Sequence, residues 1–280
     1  MGLGDARLRS AAARAVGYER LKAGDAEAAL TAAQRSFDLL DEIADPEEAV
    51  ETHELMVHIT LTLGRMAEAR RLATEHADLV EPLSSHHRVH GIALTLELEE
   101  LAGGWETVCS LRERTERVIA ANAGTPCGRH ARSFLIQAIA HEHLGESGEA
   151  RRLERLAGDS TIGGSRTGLV SLRARLALAR GDLEAASCAV HPAELSQRGW
   201  WWWGQTAAIA YLDTRAAIGA RDDVEAVAEE YAHGQIRLLQ PFALRALGRV
   251  RGDADLIRRA LADFESLHLD WYARETRALL

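Results

Sequence analysis

The sequence predicts an all-α fold, specifically a right-handed α-solenoid of about seven antiparallel helix hairpins. Three observations lead to this prediction: a composition dominated by helix-forming residues, glycines that recur at a near-constant spacing, and prolines that fall between the glycine-centred segments. The recurring glycines are the most informative of the three, because repetition at a fixed period is typical of solenoid proteins.

The composition favours helices throughout the chain. Of the 280 residues, 47% are hydrophobic and only 5% are aromatic; the apolar residues are mostly Ala and Leu, and the charged ones mostly Arg and Glu. These residue types have high helix propensity. Val, Ile and Thr nowhere alternate over a run of strand length, so the sequence offers little from which a sheet could be built.

Charge and cysteine content limit the class of partner and the compartment. The net charge is −9, from 33 basic and 42 acidic residues, whereas nucleic-acid binders usually present a basic face to the phosphates. We therefore expect no direct nucleic-acid binding. Three widely separated cysteines without a CxxC pair indicate a reduced, cytoplasmic protein. The sequence shows neither a signal-peptide core nor an apolar run of membrane-spanning length, so no membrane association is expected.

The repeat becomes visible when the glycines are aligned. The segment 21–29, Leu-Lys-Ala-Gly-Asp-Ala-Glu-Ala-Ala, recurs in related form at 63–69, 144–150 and 179–186. A glycine after an apolar helix end supplies the left-handed C-cap conformation, and the acidic residue beside it suits the start of the next helix. The seven predicted turn glycines, spaced 33 to 41 residues apart, are Gly24, Gly64, Gly104, Gly145, Gly181, Gly219 and Gly252.

The prolines mark a second kind of boundary. All five fall between the second helix of one hairpin and the first helix of the next, where a helix break is favourable: Pro46, Pro82, Pro126, Pro192 and Pro241. A Gly/Ser-rich stretch at 161–165 fills the one inner gap without a proline. We therefore predict a single domain, 1–280, with hairpins at about 5–43, 47–81, 86–122, 128–158, 166–190, 194–233 and 236–280.

On these residues the chain resembles the tetratricopeptide repeat. Small residues occupy facing places of the two helices in several hairpins, as in the pairs Gly17/Ala29, Ala138/Ala150 and Ala174/Ala186. Glu97, Leu212 and Arg245 depart from this pattern, which makes the third, sixth and seventh repeats divergent. The segments 241–248, 260–267 and 270–276 also resemble the C-terminal helical repeats of actinobacterial multidomain ATPase, cyclase or LuxR-type regulators.

The resemblance implies a non-catalytic protein-protein interaction scaffold, or a regulatory or sensor repeat domain. Such arrays bind a peptide, or a neighbouring domain of a larger regulator, through the concave surface formed by the first helix of each hairpin. The residues expected to face that surface are Arg14, Tyr18, Glu54, His58, Arg132, Arg175, Asp213 and Arg249. Self-association through the end faces of the array is a further alternative.

Four consecutive tryptophans, Trp200 to Trp203, are the most unusual feature of the sequence. Four successive residues point to all sides of a helix, so a single neighbour cannot bury all of them. Either the indoles pack between adjacent hairpins, or one of them anchors a partner, since tryptophan is enriched at interface hot spots. Trp202 is therefore added to the candidate binding residues.

The histidines suggest an alternative function. His86 and His90 share a helix face, and His87 is three residues from His90, which is a spacing that metal sites use. A zinc site would need further ligands, for which His53 and His58 are the candidates. The alternative to a scaffold is thus a small-molecule- or metal-binding receptor or enzyme that uses this cluster or the Trp200–Trp203 region. The primary expectation is no catalytic residue, no metal and no cofactor.

Overall fold

The computed structural model of the chain describes residues 3–160, 167–190, 195 and 201–280. Over these residues the fold is all-helical and contains no strand, which confirms the predicted fold class at this level. None of the described helices is long and apolar enough to cross a membrane.

Sixteen α-helices make up the described parts of the chain. The first eight are α1 Leu3–Lys22, α2 Ala26–Phe37, α3 Pro46–Thr62, α4 Met66–Val80, α5 Ser85–Ala102, α6 Trp105–Ser110, α7 Arg112–Ala121 and α8 Gly128–His143. The next eight are α9 Ser147–Asp159, α10 Thr167–Ala179, α11 Leu183–Ala189, α12 Trp201–Ala217, α13 Arg221–His233, α14 Gln240–Arg251, α15 Ala254–Ser266 and α16 Asp270–Arg277. Two 3-10 turns precede α3 and α14, at Leu40–Glu42 and Arg237–Leu239.

Seven glycines with positive φ separate paired helices, and six of them are the predicted ones. The prediction is wrong in the third turn, where Gly103 has φ +71° and Gly104 has φ −80° as the residue before α6. Gly103 is the first residue after the apolar end of α5, which is where the left-handed C-cap forms. At Gly104, an added Cβ would lie 2.2 Å from Oε2 of Glu99, so the end of that side chain would have to move.

The acidic residues of the repeat cap several of the following helices. The side chains of Asp25, Asp182 and Asp253 accept hydrogen bonds from backbone N–H groups in the first turns of α2, α11 and α15. The predicted proline boundaries are confirmed at both helix starts and linkers: Pro46 and Pro241 lie in the first turns of α3 and α14, whereas Pro82 and Pro126 lie between helices. Pro192 and the stretch 161–165 lie outside the described residues.

The chain divides into two compact units, of which unit 1 comprises residues 1–95 and 235–238. In unit 1, α1 packs on α2 and α3, and α3 packs on α4. Gly17 lets α1 approach closely, because a Cβ at this position would be 2.9 Å from Cδ2 of Leu55. A chain of buried hydroxyl groups crosses this packing, with 2.8 Å between Oγ of Ser10 and Oγ of Ser36 and 3.1 Å between Ser36 and Oγ1 of Thr52.

Unit 2 comprises residues 96–234 and 239–280. Helix α8 packs on α9 and α10, α12 packs on α10 and α14, and α14 packs on α13 and α15. The last helix, α16, packs on α15 and also reaches the turn after α5, where a Cβ at Gly103 would lie 2.8 Å from Cβ of Trp271. The C-terminal end of unit 2 is therefore in contact with its first turn, more than 160 residues earlier in the sequence.

Candidate functional site

Charged side chains are buried in the interior of unit 2, where α5, α8, α10, α12 and α16 meet. The first group joins α5 to α8 and α12. Nε of Arg132 donates to Oε1 of Glu97 at 3.1 Å, and Arg132 also donates to the carbonyl oxygen of Gly168. The indole N–H of Trp203 donates to the same Oε1 of Glu97 at 3.0 Å, while its ring lies 4.2 Å from the Arg132 guanidinium carbon. Burial lowers the pKa of Arg132, and the Glu97 and Glu100 carboxylates oppose this change.

The second group centres on Glu100, which is fully buried at the end of α5. Its Oε1 lies 2.8 Å from Nη1 of Arg175, and its Oε2 accepts a hydrogen bond from Thr206 at 3.2 Å. Arg175 also donates to the Tyr272 hydroxyl, which in turn donates to the backbone oxygen of Glu100 at 3.3 Å. Burial raises the pKa of Glu100, although Arg175 and Arg132 act in the opposite direction.

An aromatic box encloses the imidazole of His143, at the end of α8. The ring stacks on Trp105 at a centroid distance of 4.6 Å and meets Trp271 edge-on at 5.1 Å. Burial, followed by the positive charge of Arg175, lowers the pKa of His143 to about 4. The imidazole is therefore uncharged at neutral pH, and it forms no hydrogen bond within the described part of the chain.

Arg245, on α14, is a further buried charge. Its Nη2 donates to Oδ1 of Asp213 at 2.7 Å, and its guanidinium carbon lies 5.2 to 5.6 Å from the ring centroids of Phe242, Phe264 and Tyr272. The three rings pack edge-on or stacked against one another. The aromatic cluster fixes the guanidinium from one side, and Asp213 pairs with it from another.

His143, Arg175 and Arg245, from three of these groups, border a cavity of about 340 Å³ in unit 2. Helices α8, α10, α11, α12, α14 and α16 contribute to its lining. The polar groups of the lining are His143, Arg175, Asp213, Arg245, Arg249 and Glu275. The apolar groups are Leu178, Ala179, Leu183, Ala217 and Leu279, beside the aromatic residues Trp271 and Tyr272.

Two of the lining charges form no ion pair within the described residues, although the Asp213 carboxylate acts on Arg249 electrostatically. Arg175 is paired with Glu100, and Arg245 with Asp213. Arg249 and Glu275, in contrast, are exposed and form no hydrogen bond or ion pair with any described residue. The cavity thus combines a cation and an anion that form no ion pair with described residues, a neutral imidazole and an apolar wall, and such groups can bind a polar ligand.

The structure brings together three of the residues that were predicted to face the partner. Arg175, Asp213 and Arg249 come from three different hairpins and line the same cavity. Arg132 lies outside it, in the buried group with Glu97.

The other four predicted residues of the concave surface lie in unit 1. Nη1 of Arg14 is 2.5 Å from Oε2 of Glu48, and Tyr18 is half-buried one turn further along α1. On α3, Nε2 of His58 lies 3.7 Å from Oε1 of Glu54. Arg14 thus pairs across from α1 to α3, and Glu54 and His58 lie one turn apart on α3.

The tryptophan run is described only in part. Trp200 lies outside the described residues, and Trp201 and Trp202 are described as helix backbone without their side chains, so the predicted role of Trp202 stays a prediction. Trp203 belongs to the buried group around Glu97, where its ring also lies against Gly168. At Trp203 the packing alternative is therefore the one that the structure supports.

The histidine cluster lies at the start of α5. The rings of His86 and His90 are 4.5 Å apart between centroids, as the helical spacing predicts, and Nδ1 of His87 is 2.8 Å from Oγ of Ser84. The two expected additional ligands have other contacts, and Nε2 of His53 lies 3.7 Å from Oε2 of Glu75 on α4. His53 donates from Nδ1 to the backbone oxygen of Ala49 at 2.8 Å, and His58 lies beside Glu54.

Sequence analysis missed the acidic and aromatic half of the site: Glu97, Glu100, Trp105, His143, Trp271 and Tyr272. One signal for part of it was present. Glu97 and Arg245 depart from the small-residue pattern of the repeat, and both are buried charges of this region. Breaks in an otherwise regular pattern are where functional residues are expected.

The known proteins provide no further guide to the site. The chain matches no model of a known protein family, and no curated protein is similar to it in sequence.

Proposed function

We propose that this chain is a non-catalytic binding module that recognises a peptide segment of mixed charge through the cavity of unit 2. The segment would belong to a partner protein or to a neighbouring domain. The supporting observation is that Arg175, Asp213 and Arg249, which lie on three different hairpins, line one cavity. An extended polypeptide offers charges of both signs together with apolar side chains, which is what this lining complements.

The ionisable groups of the lining favour binding over acid–base catalysis. An efficient general base at neutral pH needs a pKa near 7, whereas the pKa of His143 is about 4. The Asp213 carboxylate is held by Arg245, and the Arg175 guanidinium by Glu100 and Tyr272. Groups that are paired in this way are positioned for recognition.

The finer architecture is part of the same proposal. We propose that the hairpins follow the tetratricopeptide pattern of a right-handed solenoid, in one cytoplasmic domain. Within each unit, helices that are neighbours in sequence pack on each other, and positive-φ glycines recur at the repeat spacing.

Fluorescence polarisation with four labelled ten-residue peptides tests the binding function. All four peptides carry leucines at the same positions. Their remaining residues differ in charge and are acidic, basic, of mixed charge or neutral. The mixed-charge peptide is expected to bind most tightly of the four. Its affinity should fall as the salt concentration rises, because salt screens the ion pairs. Arg249→Gln should weaken its binding about fivefold, the scale of one partly exposed ion pair.

Arg259→Gln is the matched control, because Arg259 is an exposed arginine that does not line the cavity. This variant should bind the mixed-charge peptide like the unaltered chain. The proposal is wrong if no peptide binds at about 1 mM, or if Arg249→Gln and Arg259→Gln behave alike.

A further inference from the structure

The two unpaired charges of the cavity have opposite signs. Arg249 projects from the last turn of α14 and Glu275 from α16, and both line the cavity without a hydrogen bond or ion pair to a described residue. Asp213, whose carboxylate is bound by Arg245, acts on Arg249 only electrostatically. The other charges of the lining are internally compensated, Arg175 by Glu100 and Arg245 by Asp213. A ligand that enters the cavity therefore meets one available cation and one available anion.

A simple anion would pair with Arg249 but leave Glu275 facing a like charge, and a simple cation would do the reverse. A zwitterion satisfies both groups at once, because each of its charges finds an oppositely charged partner. Free α-amino acids are small zwitterions of this kind, with a carboxylate and an ammonium group on one carbon.

The rest of the lining indicates the side chain of the ligand. Leu178, Ala179, Leu183, Ala217 and Leu279 form an apolar wall, and Trp271 adds a flat aromatic surface. Next to Trp271, the imidazole of His143 is held uncharged by its enclosure in the aromatic box. No further charge is available for a charged side chain, so a large apolar or aromatic one fits best.

The size of the cavity agrees with a compact ligand. Ligand pockets span about 300 to 1,000 Å³, and a cavity of about 340 Å³ lies at the small end of that range. Only one residue of an extended peptide would fit inside the cavity, and the rest of the peptide would lie outside its mouth. A free amino acid would lie inside the cavity as a whole.

We infer that the cavity of unit 2 binds a free α-amino acid with a large apolar or aromatic side chain. The carboxylate pairs with Arg249, the ammonium group with Glu275, and the side chain lies against Trp271 and the apolar wall. This inference goes beyond the proposed peptide recognition and does not depend on it, because a discrete small ligand needs no partner protein.

Isothermal titration calorimetry of the full chain with four compounds tests the inference. L-phenylalanine carries both charges, L-phenylalaninamide lacks the carboxylate, N-acetyl-L-phenylalanine lacks the ammonium group, and glycine lacks the apolar side chain. L-phenylalanine is expected to bind, and each single-charge analogue about fivefold more weakly, as befits the loss of one partly exposed ion pair. Glycine should bind at least about tenfold more weakly, because it buries no apolar surface.

Two variants assign each charge to its partner. In Arg249→Gln, L-phenylalanine and its amide should bind equally, while the penalty for N-acetylation remains. In Glu275→Gln, the penalty for N-acetylation should vanish, while the penalty for the amide remains. Both side chains are exposed, so the fold should tolerate these changes. Arg259→Gln and Glu230→Gln are matched controls at exposed positions outside the cavity, and they should leave all four affinities unchanged.

Three outcomes overturn the inference: no binding of L-phenylalanine at about 10 mM, equal binding of the three phenylalanine compounds, or variants that weaken all compounds by the same factor. The peptide series distinguishes this failure from failure of the proposed function. Peptide binding without amino-acid binding overturns only the inference, and amino-acid binding without peptide binding overturns only the proposed function.

Discussion

Arg175 on α10 and Glu100 on α5 form an ion pair of 2.8 Å in which both side chains are buried. The contact between Nη1 and Oε1 is ionic, since the two atoms are not aligned for a hydrogen bond. Hydrogen bonds surround it instead, from Thr206 to Glu100 and from Arg175 to Tyr272. This pair therefore links α5, α10, α12 and α16 behind the cavity.

Removal of one charge of this pair should destabilise unit 2 strongly. Glu100→Gln leaves the Arg175 guanidinium buried without its counter-charge, and breaking a buried pair in this way costs about 3 to 5 kcal/mol. A urea titration with indole fluorescence as the probe measures the loss in the free energy of unfolding. The probe reports on unit 2, because all six tryptophans belong to the sequence range of that unit.

An exposed pair of the same unit is the control for that experiment. Glu265 and Arg277 lie 2.5 Å apart with about half of each side chain in solvent, and such pairs contribute less than about 1 kcal/mol. Equal losses for Glu265→Gln and Glu100→Gln would show that the Glu100 carboxylate is neutral or unpaired in the fold.

The enclosure of His143 predicts a dependence of stability on pH. Its pKa is about 4 in the fold, against an ordinary value of 6.5, so the unfolded chain binds the proton more readily than the fold does. The contribution of the neutral His143 imidazole to the free energy of unfolding is therefore fully present above about pH 6.5. It is lost as the pH falls toward 4, and the loss is on the order of 3 kcal/mol.

NMR titration of the imidazole C–H resonances gives the pKa of His143 directly, and His143→Gln identifies the signal. This variant should also lose less stability between pH 6.5 and 4 than the unaltered chain. A midpoint near 6.5 for His143 would mean that the aromatic box is open to water.

The cysteines should differ in reactivity. Burial, followed by the nearby Glu146 and Glu106 carboxylates, raises the pKa of Cys109 to about 12, whereas Cys188 is exposed. Because the thiolate is the reactive form, iodoacetamide at pH 8 should modify Cys188 at least about tenfold faster than Cys109. Peptide mass spectrometry measures both rates, and Cys188→Ser should remove the fast phase. Faster labelling at Cys109 would contradict the burial of its thiol.

Two glycines three residues apart test the turn geometry. Gly145 has φ +81° and open space around it, so Gly145→Ala should cost about 1 to 2 kcal/mol through backbone strain alone. Gly148 is helical and has equal space, so Gly148→Ala should be neutral or stabilise by up to about 1 kcal/mol. Relative to the unaltered chain, the free energy of unfolding should fall in Gly145→Ala and stay the same or rise in Gly148→Ala. Equal changes in the two variants would argue against a left-handed residue at 145.

Local chemistry made the helices and their turns predictable. Glycine C-caps, acidic N-caps and prolines act over a few residues, and six of the seven turn glycines follow from them. The error at Gly104 arose where two glycines are adjacent, because the C-cap is formed by Gly103, which directly follows α5. Arg175 and Asp213 could be proposed as neighbours because each lies six residues before the turn glycine of its repeat. Arg249, three residues before Gly252, holds another place that faces the same surface.

The remaining half of the site depends on contacts that no local pattern specifies. Tyr272 meets the backbone of Glu100 across 172 positions of sequence, and Trp271 closes the box around His143. Repeat spacing relates each hairpin to its neighbour and says nothing about the return of α16 to the turn after α5. Only the departures of Glu97 and Arg245 from the repeat pattern pointed to this region.

Hydrogen exchange measured by mass spectrometry, with and without the mixed-charge peptide, tests most directly that unit 2 holds the binding site. Slower exchange is expected in segments that line the cavity, at the end of α10, in the last turn of α14 and in α16. Exchange in α1 to α4 should stay unchanged. Protection confined to α1 to α4 at a saturating peptide concentration would contradict the assignment of the site to this cavity.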